Sequence, residues 1–163
     1  MAVYTFRALT DGDLPMIERW LAVPHVAQWW QDGRAQLSQI RANMDDPAFE
    51  LLIVCADERP IGYMQSYDPH AWPDHPYHDF PIGVRGIDQF IGEEDALGQG
   101  HGTALTHAFV QRLFDSGTNC VVTDPAPENT RAIRVYEKAG FVAERHVDTP
   151  WGHVLLMVCR ANR

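Results

Sequence analysis

The run CVVTDPAPENTRAIRVYEKAGF, Cys120 to Phe141, constrains the fold more than any other stretch. A β-branched apolar segment is cut off by Pro125 and Pro127, a polar stretch with apolar residues at helical spacing follows, and Gly140 stops it before another strand-like segment. Ala132, Val135 and Tyr136 share one face of the implied helix, which can pack on a sheet. Gly140 is its natural C-terminal cap, because only glycine takes the left-handed conformation cheaply. A helix needs none of the other specific polar residues here, least of all Asn129 and Tyr136.

The rest of the chain follows the same grammar. VYTFRAL reads as a first strand, and TDGDLPMIERWLA as a helix with Pro15 in its first turn and Leu14, Ile17 and Leu21 on its apolar face. Short helices are expected in HVAQWW and RAQLSQIRANM, then a hairpin of FELLIVCAD and PIGYMQSY turning at ERP. DPHAWPDHPYHDFP reads as a loop, IGVRGIDQFIG as a strand with a glycine-marked irregularity, and TALTHAFVQRLFDSG as a helix. NCVVTD is a strand, and FVAERHV with HVLLMVCR closes the chain as an antiparallel pair. Strands alternate with helices in the middle and pair as hairpins at the ends, which predicts an α/β protein with a mixed sheet flanked by helices.

With 163 residues, 45% of them apolar, the chain suits a single domain, 1–163. A net charge of -9 argues against a nucleic-acid partner, since phosphate binding needs a basic surface, and fits a cationic small molecule. No apolar run is long enough to span a membrane, and the start MAVYTFRALTDGD has no basic, then apolar, signal pattern, so a cytoplasmic location is expected. Cys55, Cys120 and Cys159 sit in apolar runs without ligand spacing and read as buried strand residues. His70, His75 and His78 lie on a proline-rich loop with no cysteine near them, and no metal site is expected.

LGQGHGTAL, Leu97 to Leu105, sets three glycines ahead of a helix, a loop whose N–H groups can converge on phosphate oxygens. The spacing of Gly98, Gly100 and Gly102 fits neither a dinucleotide fingerprint nor a Walker loop. Taken with Asn129, Ala132, Tyr136, Gly140 and Phe141, it resembles the GNAT acyltransferases, which pair a Q/R-x-x-G-x-G/A turn with an N-x-x-A-x-x-x-Y-x-x-x-G-F helix. Leu97 stands where the turn usually has Gln or Arg. PHVAQWW, PIGYMQSY and GVRGIDQ extend the likeness, and with the two motifs they resemble the aminoglycoside 6'-N-acetyltransferases of this superfamily.

The resemblance implies a GNAT fold, a mostly antiparallel sheet splayed between its fourth and fifth strands, with acetyl-CoA as cosubstrate. The amides of Gln99, Gly100, His101, Gly102 and Thr103 would hold its pyrophosphate, Asn129 its pantetheine, and the backbone at Phe90 and Ile91 its thioester arm. Asp88 takes the place of a general base and Asp124 that of a substrate carboxylate. An ordinary Asp, with a pKa of about 3.9, is a weak base toward an alkyl ammonium near 10, so Asp88 either has a raised pKa or orients an amine that loses its proton through water. Tyr136 would protonate the leaving thiolate.

Trp29, Trp30 and Tyr67 match aromatic substrate positions and equally suit core packing. The implied activity is transfer of an acetyl group to a primary amine, by a monomer or homodimer. The competing expectations are an N-acyltransferase for a siderophore or polyamine-like metabolite, and a non-catalytic acyl-CoA-binding sensor.

Overall fold

The computed structural model describes residues 1–162. Its strands are β1 (Tyr4–Ala8), β2 (Phe49–Ala56), β3 (Arg59–Tyr67), β4 (Arg85–Ile91), β5 (Cys120–Thr123), β6 (Val142–Thr149) and β7 (Gly152–Arg160). They hydrogen-bond in the order β1-β2-β3-β4-β5-β7-β6. The pairs β1–β2, β5–β7 and β6–β7 are antiparallel, and β4–β5 is parallel, so the sheet is mixed as expected. The helices are α1 (Leu14–Ala22), α2 (Pro24–Ala27), α3 (Gly33–Asn43), α4 (His101–Asp115) and α5 (Thr130–Lys138). Among the described residues no helix is long and apolar enough to cross a membrane.

The parallel pair is short for a physical reason. Its register matches Arg85 with Val121 and Gly86 with Val122. Beyond that point β5 has only Thr123 left, whereas β4 runs on to Ile91. The Thr123 hydroxyl donates to the Ile87 carbonyl at 3.1 Å, a side chain completing what the backbone ladder no longer does. Asp88 follows directly.

The chain divides into two compact units. The first, Met1–Ser66 with Gln89–His101, has a core built from α1, β2 and neighbouring residues, including Ile17, Trp20, Leu21, Ile53, Tyr63 and Phe90. Asp13 anchors the start of α1: it takes two 2.8 Å bonds from the Arg7 guanidinium and one from the Thr10 amide at 2.9 Å. These bonds hold its carboxyl down at a pKa of about 2. The β2–β3 turn is tighter than the ERP reading, for Asp57 and Glu58 both take left-handed φ, at 48° and 70°, as a two-residue hairpin requires.

The second unit, Tyr67–Asp88 with Gly102 onward, is centred on Tyr77, Phe80, Val84, Cys120, Val122, Leu156 and Val158. Cys120 and Cys159 are buried on its strands, and Cys55 likewise on β2 of the first unit. The strand expected from Ile82 begins only at Arg85, because Pro81 to Val84 form a turn closed by the Val84 amide on the Pro81 carbonyl, with Gly83 at φ 98°. Helix α4 starts at His101, two residues ahead of the Thr103 expected, since Gly100 at φ 79° already ends the loop.

Candidate functional site

The second unit gathers two carboxylates and three phenols. Tyr67, the last residue of β3, lays its ring on β4 where Gly86 has no side chain: a Cβ there would stand 2.1 Å from the ring. Asp88 lies two residues further along β4, and Asp124 directly follows β5. The Tyr77 hydroxyl donates to Asp124 Oδ2 at 2.6 Å, and the Trp151 indole N–H donates to the same oxygen at 2.9 Å. Burial raises the Asp124 pKa above the ordinary carboxylate value, against the pull of these two donors.

The negative field is felt by each phenol. Burial raises Tyr67, Tyr77 and Tyr136 above the ordinary tyrosine value, and the charges of Asp88 and Asp124 raise all three further. A hydrogen bond with Thr123 works in the opposite direction on Tyr136. Thus Asp88, Asp124, Tyr67 and Tyr136, four of the residues singled out in the sequence, share one electrostatic neighbourhood.

Helix α5 accounts for its own sequence motif. Asn129 is its N-cap, with Oδ1 accepting from the Ala132 amide at 3.2 Å. At the other end the Gly140 amide bonds the Glu137 carbonyl and the Phe141 amide bonds the Tyr136 carbonyl. This is a Schellman motif, and Gly140 takes the left-handed φ of 106° that it needs. Its customary apolar contact is the Tyr136 ring against Phe141. Each invariant letter of N-x-x-A-x-x-x-Y-x-x-x-G-F is thus a capping position or a partner to one.

The glycine loop holds Gly98 and Gly100 at φ 72° and 79°, and a Cβ at either would meet nothing within 4 Å. Conformation, not space, requires glycine there. The Gln99 side chain donates to the Asp95 carbonyl, and His101 Nδ1 is 2.7 Å from the Tyr4 hydroxyl. Both side chains are tied back within the first unit, and Gly102 and Thr103 form the first turn of α4.

The remaining predicted residues, Trp29, Trp30, Phe90 and Ile91, lie in the first unit. Phe90 is a core residue, and the Ile91 carbonyl accepts from His25 Nε2 at 2.8 Å. Trp30, partly buried, packs edge-on against Tyr63 and Phe90, while Trp29 is exposed.

Tyr77 and Trp151 escaped the sequence reading, and His75 was weighed there only as a metal ligand. His75 lies with ring centroids 5.6 Å from Tyr67, 5.7 Å from Trp72, 5.2 Å from Tyr77 and 5.5 Å from Trp151. Its Nδ1 accepts from the Tyr77 amide at 3.0 Å, and burial lowers its pKa. The density of aromatic and proline residues in AWPDHPY was the available signal for His75 and Tyr77. Trp151, alone in the β6–β7 turn, offered none.

The sequence model of the acetyltransferase (GNAT) domain matches residues 10–149. An aminoglycoside N(6')-acetyltransferase type 1 from Klebsiella pneumoniae is 37% identical over 94% of this chain and 81% of its own. A kanamycin resistance protein from Rhizobium radiobacter is 51% identical over 47% of this chain and 71% of its own. A solved structure of AAC(6')-Ib with coenzyme A and kanamycin superposes with a TM-score of 0.86 at 37% identity, covering 97% of this chain and 95% of that one. Another, with acetyl-CoA bound, gives 0.87 at 37% identity over 96% and 93%. A mixed sheet with its β4–β5 pair cut short, a capped Asn-to-Phe helix and these likenesses agree: the chain belongs to the GNAT acetyltransferase family.

Proposed function

We propose that the protein is an aminoglycoside 6'-N-acetyltransferase, moving the acetyl group of acetyl-CoA directly to a primary amine in a ternary complex. The observation that carries this reading is the placement of Asp88 on β4 and of Asp124 just after β5 in the unit that also holds Tyr136, whose buried phenol feels both charges. An ammonium-bearing sugar is the natural guest of such a pair, and Tyr67 adds a flat face next to them. The sequence likeness to aminoglycoside N(6')-acetyltransferases over most of the chain supports the same substrate.

The chemistry divides among these residues. Asp124, already fixed by two donors, holds the ammonium. Asp88 takes up its proton, through water where the basicity gap demands it. The freed amine nitrogen attacks the thioester carbonyl carbon, the C–S bond breaks, the departing thiolate receives the Tyr136 proton, and the second proton that the nitrogen sheds on becoming an amide returns through water to the Tyr136 phenolate. An amide, free coenzyme A and one released proton are the products.

Electrostatics times the acid step. Before substrate arrives, burial and, after it, the charges of Asp88 and Asp124 make Tyr136 a poor acid. A cation bound between the acids and the phenol offsets their charge, so the phenol gives up its proton more readily once the amine is in place.

For the donor we assign the amides of Gln99, Gly100, His101, Gly102 and Thr103 to the pyrophosphate, with the α4 dipole favouring its charge. Asn129 spends its oxygen on the helix cap, which leaves its amide N–H groups for the pantetheine. The backbone of Phe90 and Ile91 is assigned to the arm on resemblance.

A free-thiol release assay with acetyl-CoA tests the function across kanamycin, tobramycin, spermidine and a hydroxylamine. Saturable turnover of the two antibiotics at micromolar concentration, with the acetyl group located on the 6'-amine by NMR, is expected. Antibiotic turnover saturating only at millimolar concentration, with spermidine or the hydroxylamine preferred, would overturn the assignment.

A further inference from the structure

Asp124 is held asymmetrically. Both of its donors, the Tyr77 hydroxyl and the Trp151 indole N–H, reach Oδ2, and among the described residues none reaches Oδ1. The donors differ in kind. Tyr77 is fully buried in the core of its unit, whereas Trp151 stands in the turn between β6 and β7 and is 52% exposed.

Nothing in the turn itself requires a tryptophan. Gly152 supplies its positive φ, at 130°, and the Thr149 hydroxyl closes it on the Gly152 carbonyl at 2.7 Å. The indole instead reaches across to the loop after β3, where its ring lies 5.5 Å from His75 and 6.4 Å from Tyr77. A large apolar ring kept half in solvent forgoes much of its burial energy, and here it makes one charge-assisted hydrogen bond.

We propose that Trp151 is a positioning and specificity residue of the amine site: its indole N–H and the Tyr77 hydroxyl together lock Asp124 through Oδ2, so that Oδ1 alone is presented to the substrate ammonium, beneath a wall formed by Trp151 and His75. This rests on the proposed acetylation of an amine and adds the part that selects it. A carboxylate free to rotate can serve several ammonium groups of a polycation in turn. One locked through a single oxygen binds a single ammonium in one orientation, and the aromatic wall favours a carbon skeleton with a flat apolar face beside it. The substrates so favoured are amino sugars presenting one reactive ammonium, over flexible linear polyamines.

Trp151→Phe keeps the ring and deletes the N–H. It is measured in two ways, by steady-state kinetics on kanamycin and spermidine, and by a 13C carboxyl titration in which the Asp124 resonance is identified by its absence in Asp124→Asn. We expect KM for kanamycin to rise about 10-fold with kcat within about threefold, the kanamycin-to-spermidine preference to shrink, and the Asp124 midpoint to move up, because a donor that favours the charged form is gone. An unchanged KM overturns the proposal. So does a raised KM with an unmoved midpoint, since the indole would then act by stacking alone. If the wild-type protein turns over no amine, that failure falls on the proposed function; the titration needs no substrate, and an unmoved midpoint would still sink the link between Trp151 and Asp124.

Discussion

The Tyr136 ring lies against Phe141 with centroids 5.4 Å apart and planes at 64°, so the proposed acid is fixed by the device that ends its own helix. Phe141 is placed by the Schellman turn through Gly140, and Tyr136 is the residue whose carbonyl that turn caps. Helix termination and phenol position are therefore one structural event.

Gly140→Ala tests that link. A Cβ at Gly140 would meet only Cys159 Sγ, at 3.6 Å, an ordinary contact, so the cost is conformational. A φ of 106° is strained for any L side chain, and the substitution should cost about 1–2 kcal/mol. For a chain of this size that lowers Tm by roughly 2–8 °C. Because the same turn seats the phenol, kcat should fall too, and a variant melting lower with unchanged kcat would separate the two roles.

Tyr136→Phe isolates the chemistry. The ring, its packing on Phe141 and the helix cap all survive, and only the proton donor is lost. We expect kcat to drop about 10-fold or more while the affinity for acetyl-CoA, read by fluorescence titration, stays the same. Since burial and the two carboxylates hold the phenol above the ordinary tyrosine value, the wild-type rate should show no fall from Tyr136 ionisation up to pH 10. An alkaline limb that disappears in the variant would contradict this.

Much of this was legible in the chain because it is local. The helix from Asn129 to Gly140 announces itself by caps at fixed spacing, and the order of strands follows from runs bounded by glycine and proline. Asp88 and Asp124 were singled out through a family pattern. What was hidden depends on contacts distant in sequence. Trp151 reaches Asp124, 27 residues away, with no local pattern to mark it, and Tyr77 does so across 47, where the run AWPDHPY marks a dense loop without naming its partner. Trp30 was ambiguous for the converse reason, since one aromatic residue serves a core or a ligand equally well until its neighbours are known.

The carboxylate pair gives a pH prediction with a definite sign. Burial makes the folded Asp124 pKa higher than its unfolded value. Between those two values the folded state holds a proton that the unfolded state has lost, so this group's contribution to stability falls as pH rises through that window and is level above it. Asp124→Asn removes the contribution, and its Tm relative to wild type should improve between acidic pH and pH 7.5. The same variant should raise KM for the amine about 10-fold or more, because the charge that holds the ammonium is gone. In the wild type, KM should rise as pH falls through the Asp124 value. A variant that tracks the wild-type Tm across pH would refute the assignment.

Asp13 offers the opposite sign at a site remote from chemistry in function. Asp13 is 9% exposed as a residue, and its carboxyl is held at about 2 by the Arg7 guanidinium and the Thr10 amide. A depressed pKa contributes stability that is complete above the unfolded value near 3.8 and is lost as pH falls toward about 2. Asp13→Ala should cost about 1–2 kcal/mol at neutral pH, much less at pH 2.5, and leave the KM for both substrates unchanged. Denaturant melts at the two pH values check it, and an equal cost at both would show that the charge is not what holds α1.

Gly86→Ala bears most directly on how the amine site is built. The Tyr67 ring occupies the space where the Cβ would go: Cζ lies 2.1 Å from it, Cε1 2.5 Å and the hydroxyl oxygen 2.5 Å. The methyl would sit on a β4 backbone paired with Val122, so the Tyr67 ring, 6% exposed, is the side of this contact that gives way. The ring must leave, taking with it the flat face beside Asp88 and Asp124 and opening a void in the wall that also holds His75, 5.6 Å away. Overpacking of this kind costs roughly 1–3 kcal/mol, so the variant should fold with a lowered Tm. Its kcat/KM for the amine should fall about 100-fold, while acetyl-CoA affinity holds. Tyr67→Ala combined with Gly86→Ala relieves the clash and supplies the control: it should regain stability over Gly86→Ala without regaining turnover. Recovery of turnover in the double variant would mean that the Tyr67 ring contributes nothing to the reaction and that Gly86 serves packing alone.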